Sequence, residues 1–119
     1  KRLNGELTVF NTIQILKRYH PRYWIIENPA NSKMWEYIQK ILGFHLPYIN
    51  LVRYNNYDYP LQKPTKFVGN IFLNLNSEVK PARTTLTNFS KSYNERSNIP
   101  QKLVIEIFEK IYKEFYKDN

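Results

Sequence analysis

The sequence predicts an α/β fold, because stretches of helical periodicity alternate with short apolar runs and the boundaries are marked by Pro, Gly and Asn. Three observations carry this expectation. The run Tyr23-Trp24-Ile25-Ile26 consists of bulky strand formers and leads directly into Glu27-Asn28-Pro29. Helical stripes precede and follow that run. The last segment, from Pro100 onward, places Leu103, Ile107 and Ile111 in one row and Val104, Phe108, Tyr112 and Phe115 in the next, a broad stripe of period 3.6.

Taken in order, Val9, Phe10, Ile13 and Leu16 recur at helical spacing opposite Asn11, Gln14, Lys17 and Arg18, which predicts an amphipathic helix of about three turns after a polar start at Lys1–Glu6. His20-Pro21 ends it. A strand over Tyr23–Ile26 follows, and a helix feeding a strand through a short loop is an α/β crossover unit. In an open α/β sheet, ligands bind beyond the carboxyl ends of the strands, so Glu27 and Asn28 are expected at that edge. Pro29 is expected to end the ladder, since it has no N–H. A polar turn after a strand accounts for the same three residues.

Asn31 or Ser32 is the expected N-cap of a second helix marked by Met34, Trp35, Ile38, Ile41 and Leu42, with Gly43 as its stop and Trp35 in the core. Two strands are predicted next, Ile49–Tyr54 and Phe67–Leu75, forming a long antiparallel hairpin at the sheet's edge. Gln62-Lys63-Pro64-Thr65-Lys66 falls at its tip or return. Residues 76–98 are polar and basic, a loop region that is either functional or unstructured. Pro100 suits the first turn of the last helix, behind Ser97 or Asn98 as N-cap, and Glu106–Lys110 is a favourable i,i+4 pair.

A chain of 119 residues supports one domain, 1–119, and its apolar fraction of 42% excludes a disordered one. The net charge of +8 points to an anionic partner, for which nucleic acid is the leading class. The excess is confined to residues 1–22 and 53–96, each at +4, while 23–52 and 97–119 are balanced. The absence of cysteine removes disulfides, thiolate metal sites and a thiol nucleophile. His20 and His45 lie in predicted loops and make a poor metal pair, so no metal is expected. No run approaches the ~18 apolar residues of a membrane span, and the first residues lack a signal-peptide pattern, so no membrane partner and a cytoplasmic location are expected.

The order of four motifs resembles the C-terminal half of the DNA cytosine-5 methyltransferases, the shorter phage and prophage type in particular. They are Tyr23-Trp24-Ile25-Ile26-Glu27-Asn28-Pro29, Val52-Arg53-Tyr54-Asn55-Asn56-Tyr57, Lys63-Pro64-Thr65 and Glu95-Arg96-Ser97-Asn98-Ile99-Pro100, spread over about residues 7–112. The resemblance implies a partial Rossmann-like S-adenosylmethionine-methyltransferase sheet, in the order helix-strand-helix-strand-strand-helix, without the N-terminal cofactor half. It gives Glu27 the contact with the ring nitrogen and exocyclic amine of a flipped cytosine, and Asn28 and Pro29 the shaping of that pocket. The chemistry fits: a flipped base is read at its exposed edge, a carboxyl group accepts from the cytosine amine, and a protonated one also donates to the ring nitrogen.

The family's Gln-x-Arg-x-Arg element looks like Gln62-Lys63-Pro64-Thr65-Lys66, with Lys66 at the second arginine position and Pro64 at the first. Arg53, Gln62, Lys63, Thr65, Lys66, Arg83 and Arg96 are the implied DNA contacts. Ser97 and Asn98 are implied to approach the methionine moiety of S-adenosylmethionine, although capping the last helix explains them equally. The Gly-rich cofactor loop, the acidic ribose ligand and the Pro-Cys catalytic loop have no counterpart. The family's reaction needs a thiolate to attack carbon 6 of cytosine, so residues 1–119 alone are expected to be inactive. The implied function is that of one part of the methyltransferase, completed by a complementary chain or by a longer one. A catalytically inactive DNA-binding module with the same half-fold is the second expectation, and a structural domain with an acidic protein partner the third. An exposed sheet edge also makes a homo-oligomer an expected partner state.

Overall fold

The computed structural model describes residues 2–84 and 98–117. Its order is α1 (Arg2–Tyr19), β1 (Ile25–Pro29), α2 (Met34–Glu36, running on as one π-helical turn over Tyr37–Ile41), β2 (Tyr48–Arg53), a 3-10 turn (Tyr54–Tyr57), β3 (Pro64–Gly69) and α3 (Gln101–Lys117). The fold is mixed α/β, with a three-stranded antiparallel sheet and three helices among the described residues. The element order is the expected one. The strand order is β1-β3-β2, with β3 antiparallel to both neighbours, so β1 and β2 run parallel to each other on either side of it.

Side-chain alternation splits the core between the two faces of this sheet. Ile25, Phe67 and Val52 face α3, where Leu103 and Ile107 join Tyr54, Tyr57, Tyr59, Ile71 and Leu73. Ile26 and Val68 face the other way, against Ile13 of α1 and Trp35 and Ile38 of α2. Each face is thus covered by helix, as an α/β layer arrangement requires. Trp35 is a core residue, as its stripe predicts, and its indole N–H donates to the Pro29 carbonyl at 2.9 Å.

Several boundaries differ from the sequence reading. Helix α1 begins before the polar start ends, because the tolerance of a helix for Asn4 and Glu6 is not visible in an apolar stripe. It stops as expected: His20 takes φ 47° and donates its N–H to Leu16, and Pro21 follows. In α2 the Leu42 N–H reaches back five residues to Tyr37, and Ile41 is left 72% exposed although the periodic stripe counted it as core. The N-cap falls on Lys33, which makes no side-chain cap, and not on Asn31 or Ser32, although the Ser32 hydroxyl does accept from Met34 N–H; Gly43 ends the helix at φ 62°.

The hairpin is present, but its second strand is β3 at the centre of the sheet, and it spans Pro64–Gly69 instead of Phe67–Leu75. Residues 71–75 keep the alternation of a strand without the ladder. Asn50, 3% exposed, takes their backbone groups instead, donating to the carbonyls of Phe67 and Ile71 and accepting from Leu73 N–H. Gly69 permits the close approach of β1: a Cβ there would lie 2.1 Å from the Trp24 carbonyl oxygen. The segment 76–81 is held by side-chain amides, Asn55 donating to Lys80 and Asn56 to Asn76 and Glu78. Most of the basic region 76–98 lies outside the described residues.

In α3, Pro100 is the N-cap and not a first-turn residue, since its carbonyl accepts the N–H groups of both Leu103 and Val104. Glu106 and Lys110 form their pair at 3.4 Å. Only one of the helix's two apolar rows docks on the sheet: Leu103 and Ile107 are buried, whereas Phe108 and Tyr112 are 66% and 63% exposed.

Candidate functional site

Glu27 is the third of five residues in β1 and sits opposite Phe67 of β3. The expectation that Glu27 and Asn28 stand beyond the strand's end is therefore corrected. The ladder runs on through Asn28–Lys66 and Pro29–Thr65, and Ala30 N–H still bonds to the Pro64 carbonyl at 3.0 Å. Pro29 is tolerated because alternation turns its missing N–H outward, away from β3, where its carbonyl meets the Ser32 amide and the Trp35 indole. The same alternation sends Glu27 to the α3 face and Asn28 to the α1 face.

On the α3 face Glu27 lines a groove of about 330 Å³. Its floor is Ile25 and Phe67, and its far wall is Val104, Phe108 and Ile111 of α3. Glu27 is the charged group on an otherwise apolar lining. Burial by those walls raises its pKa above the ordinary carboxylate value, and the opposing pull of the Lys63 ammonium lowers it less. Glu27 is nonetheless exposed to solvent as a residue.

Three further groups lie near Glu27 without lining the groove. The Lys63 ammonium stands 5.3 Å from the centroid of the Tyr54 ring, and the Thr65 hydroxyl donates to the Lys63 carbonyl at 2.9 Å and is hydrogen-bonded to the Tyr54 phenol. Tyr54 is buried, and that burial holds its phenol well above the ordinary tyrosine range. The sequence reading missed Tyr54. The signal available was its position at the end of an alternating strand, which fixes the face it shares with Val52.

Of the expected residues, Lys63 is near enough to Glu27 to oppose the rise in its pKa, and Thr65 pairs with Pro29 on the same sheet face as Glu27 but is fully buried. The remaining expected residues lie elsewhere. Lys66 is on the opposite face from Thr65, beside its cross-strand partner Asn28. Arg53 donates its guanidinium to the Ser77 carbonyl, and Gln62 gives its amide to Lys80 at 2.6 Å, so both anchor the 76–81 segment. Arg83 is exposed, 3.9 Å from Asp58. Arg96 and Ser97 lie outside the described residues.

Asn98 is exposed just ahead of α3, next to Ile99 at the groove. Beyond that apolar wall, the described residues bring no second carboxylate to the groove to hold a ribose and no glycine-rich turn to receive a methionine group. They do not by themselves fit S-adenosylmethionine. Among the described residues no cluster of His, Asp and Glu is arranged to hold a metal, and no helix is long and apolar enough to cross a membrane. No protein-family model, curated protein or solved structure matches the chain.

Proposed function

We propose that this chain is the base-recognising, C-terminal portion of a DNA cytosine-5 methyltransferase. The observation that supports this reading is the place of Glu27 as the charged group of an otherwise apolar groove, within the field of the Lys63 ammonium. An apolar slot accepts the faces of a flipped pyrimidine, and a carboxyl group at its rim meets the base's Watson–Crick edge. Cytosine presents an amine donor beside a ring-nitrogen acceptor, and a protonated carboxyl group offers the reverse pair. The raised pKa of Glu27 favours that protonated form.

The sheet agrees at a coarser level. β1 and β2 are parallel and joined through α2, as an α/β crossover is, and the outer edge of β1 is where further strands of a Rossmann-like sheet would add. The thiolate that attacks carbon 6 must come from elsewhere, because the chain has no cysteine. In this reading a complementary chain or segment supplies that loop and the S-adenosylmethionine site. DNA is the substrate, held in part by the basic segments.

The test is methyl transfer from labelled S-adenosylmethionine to DNA by the chain mixed with a protein bearing the Gly-rich and Pro-Cys loops. Activity in the mixture that disappears with Glu27→Ala is the expected result. Methylation that survives Glu27→Ala would remove Glu27 from the base pocket. The lack of cysteine favours a second reading, an inactive DNA-binding module. It predicts salt-sensitive DNA binding with no methylation in any mixture.

A further inference from the structure

The rings of Tyr112 and Tyr116 stand exposed on α3 one helical turn apart, with their centroids 4.5 Å from each other, and Phe115 meets Tyr116 edge-on at 5.3 Å. Together with Tyr23, Phe108 and Ile111 they line a groove of about 340 Å³. It adjoins the Glu27 groove, since Tyr23, Phe108 and Ile111 belong to both. Contiguous apolar patches of this kind mark binding surfaces. Packing on the sheet does not account for the exposed rings, because Leu103 and Ile107 of the other row supply it.

The charge around the rings identifies the kind of ligand. Lys113 and Lys117 each follow one of the two tyrosines and are exposed. The segment Lys17-Arg18-Tyr19-His20-Pro21-Arg22-Tyr23 contains no acidic residue, and its end is brought to the same place. There the Arg22 guanidinium lies 5.7 Å from the centroid of Tyr23 and 4.7 Å from that of Phe115. Arg18 repeats the arrangement over exposed Tyr19 at 5.5 Å. Four residues separate the two arginines, which keeps their Cα atoms within about 14 Å. On the helix itself Glu109 and Glu114 offset Lys113 and Lys117, so the positive excess comes from Lys17, Arg18 and Arg22. Among the described residues no ion pair holds Lys17, Arg18, Lys113 or Lys117.

Rings interleaved with lysine are a poor match for a protein partner, because lysine is depleted from the cores of protein interfaces. They match single-stranded nucleic acid in both respects: unpaired bases stack on aromatic rings, and the cations beside them meet the phosphates. Among the described residues the groove lining brings no side-chain amide, carboxylate or ammonium to take a ribose 2′-hydroxyl, which favours a deoxyribose strand. We propose that the C-terminal half of α3 and the Lys17–Tyr23 segment form a binding site for single-stranded DNA. Tyr112 and Tyr116 are its stacking platform, and Arg18, Lys113 and Lys117 its phosphate contacts. The site uses neither Glu27 nor a cofactor, so it does not rest on the methyltransferase reading.

The experiment is fluorescence anisotropy of the full chain with a labelled oligothymidine strand of about 12 nucleotides. Tyr112→Ala and Tyr116→Ala are each expected to weaken binding about fivefold to a hundredfold, while affinity for a duplex of the same length stays unchanged. Lys113→Gln is expected to lower the slope of log affinity against log salt by about 0.7. Tyr48→Ala, which removes an exposed ring on β2, is expected to bind as wild type does. Circular dichroism checks that the variants keep their fold. The proposal is overturned if the wild-type chain does not bind the strand, if both α3 tyrosine variants bind it as wild type does, or if they lose duplex affinity equally. Tighter binding of oligouridine RNA also overturns it, and so does displacement by polyglutamate as effective as by unlabelled strand, which would assign the face to an acidic protein. A wild-type dimer in sedimentation that Tyr116→Ala dissociates would assign the face to a second copy instead. Absence of methylation in every mixture removes the methyltransferase reading and leaves a strand bound through Tyr112 and Tyr116 in place.

Discussion

Trp35 donates its indole N–H to the carbonyl of Pro29 at 2.9 Å, tying the start of α2 to the last residue of the strand that carries Glu27. The contact closes the outer edge of β1 at the point where proline has no N–H to offer. It also sets the chain direction beyond Glu27, because Ser32 N–H bonds to the same oxygen at 3.0 Å. The carbonyl therefore keeps a partner when the indole is lost. Trp35→Phe is expected to cost about 1–2 kcal/mol, from one hydrogen bond and a smaller ring, whereas Trp35→Ala costs about 3–5 kcal/mol. Urea unfolding reads both as midpoint shifts at unchanged slope. Equal losses for the two variants would mean that the hydrogen bond, and not the packing, dominates.

Asn50 carries more of the fold than its neighbours' apolar pattern suggests. Its amide serves two carbonyls and one N–H in a region where the third expected strand stretch has no ladder. Replacing it with Leu, close in volume, strands the Ile71 carbonyl and the Leu73 amide. The expected loss is about 3 kcal/mol or more, the sum of a few unsatisfied buried groups. Hydrogen exchange supplies a local check: the Leu73 amide should exchange far faster in Asn50→Leu relative to the amides of β1. Leu73 protection that survives the substitution would show another acceptor for that group.

Element types and order were legible in the sequence because they follow from periodicity: the stripes of α1, α2 and α3 and the apolar run of β2 appear where their pattern lies, whereas β1 starts two residues later than its run and continues through Glu27–Pro29. What was not legible depended on partners distant in sequence. Nothing local to Ile71–Leu75 reveals that Asn50 replaces its ladder, and nothing local to Phe108 reveals that the sheet ends before reaching it. Of the candidate site, Glu27, Lys63 and Thr65 could be named from residue types and order. Period-2 alternation separates Lys66 from Thr65 once β3 is known to begin at Pro64. The sequence reading began that strand at Phe67, so the separation went unseen.

Glu27 gives the stability curve a definite sign. Its pKa in the folded chain is raised above the ordinary value near 4.5, so its carboxylate is less favourable folded than unfolded. The contribution of Glu27 to stability is fully present below pH 4.5 and is lost as the pH rises through the folded value. Glu27→Gln removes that dependence. The variant is expected to gain on wild type between acidic and neutral pH, with the difference levelling off once Glu27 is ionised in both states. Paired urea titrations at several pH values measure it, and a gap that instead narrows toward neutral pH would reverse the assigned sign.

The two apolar rows of α3 should respond oppositely to substitution. Leu103 is fully buried, so Leu103→Ala removes packed surface and is expected to cost about 2–5 kcal/mol. Phe108 is 66% exposed and forms the outer wall of the groove, so Phe108→Lys is expected to change stability by no more than about 0.5 kcal/mol. Differential scanning calorimetry on the two variants decides whether the second row is as open as its exposure implies. A large loss for Phe108→Lys would mean that this ring is covered in solution. If the complementary part of a methyltransferase docks along this wall, Phe108→Lys should also abolish methylation in the mixed assay while the chain stays folded. A fully active Phe108→Lys mixture would put the docking surface elsewhere and leave the groove to its ligand alone.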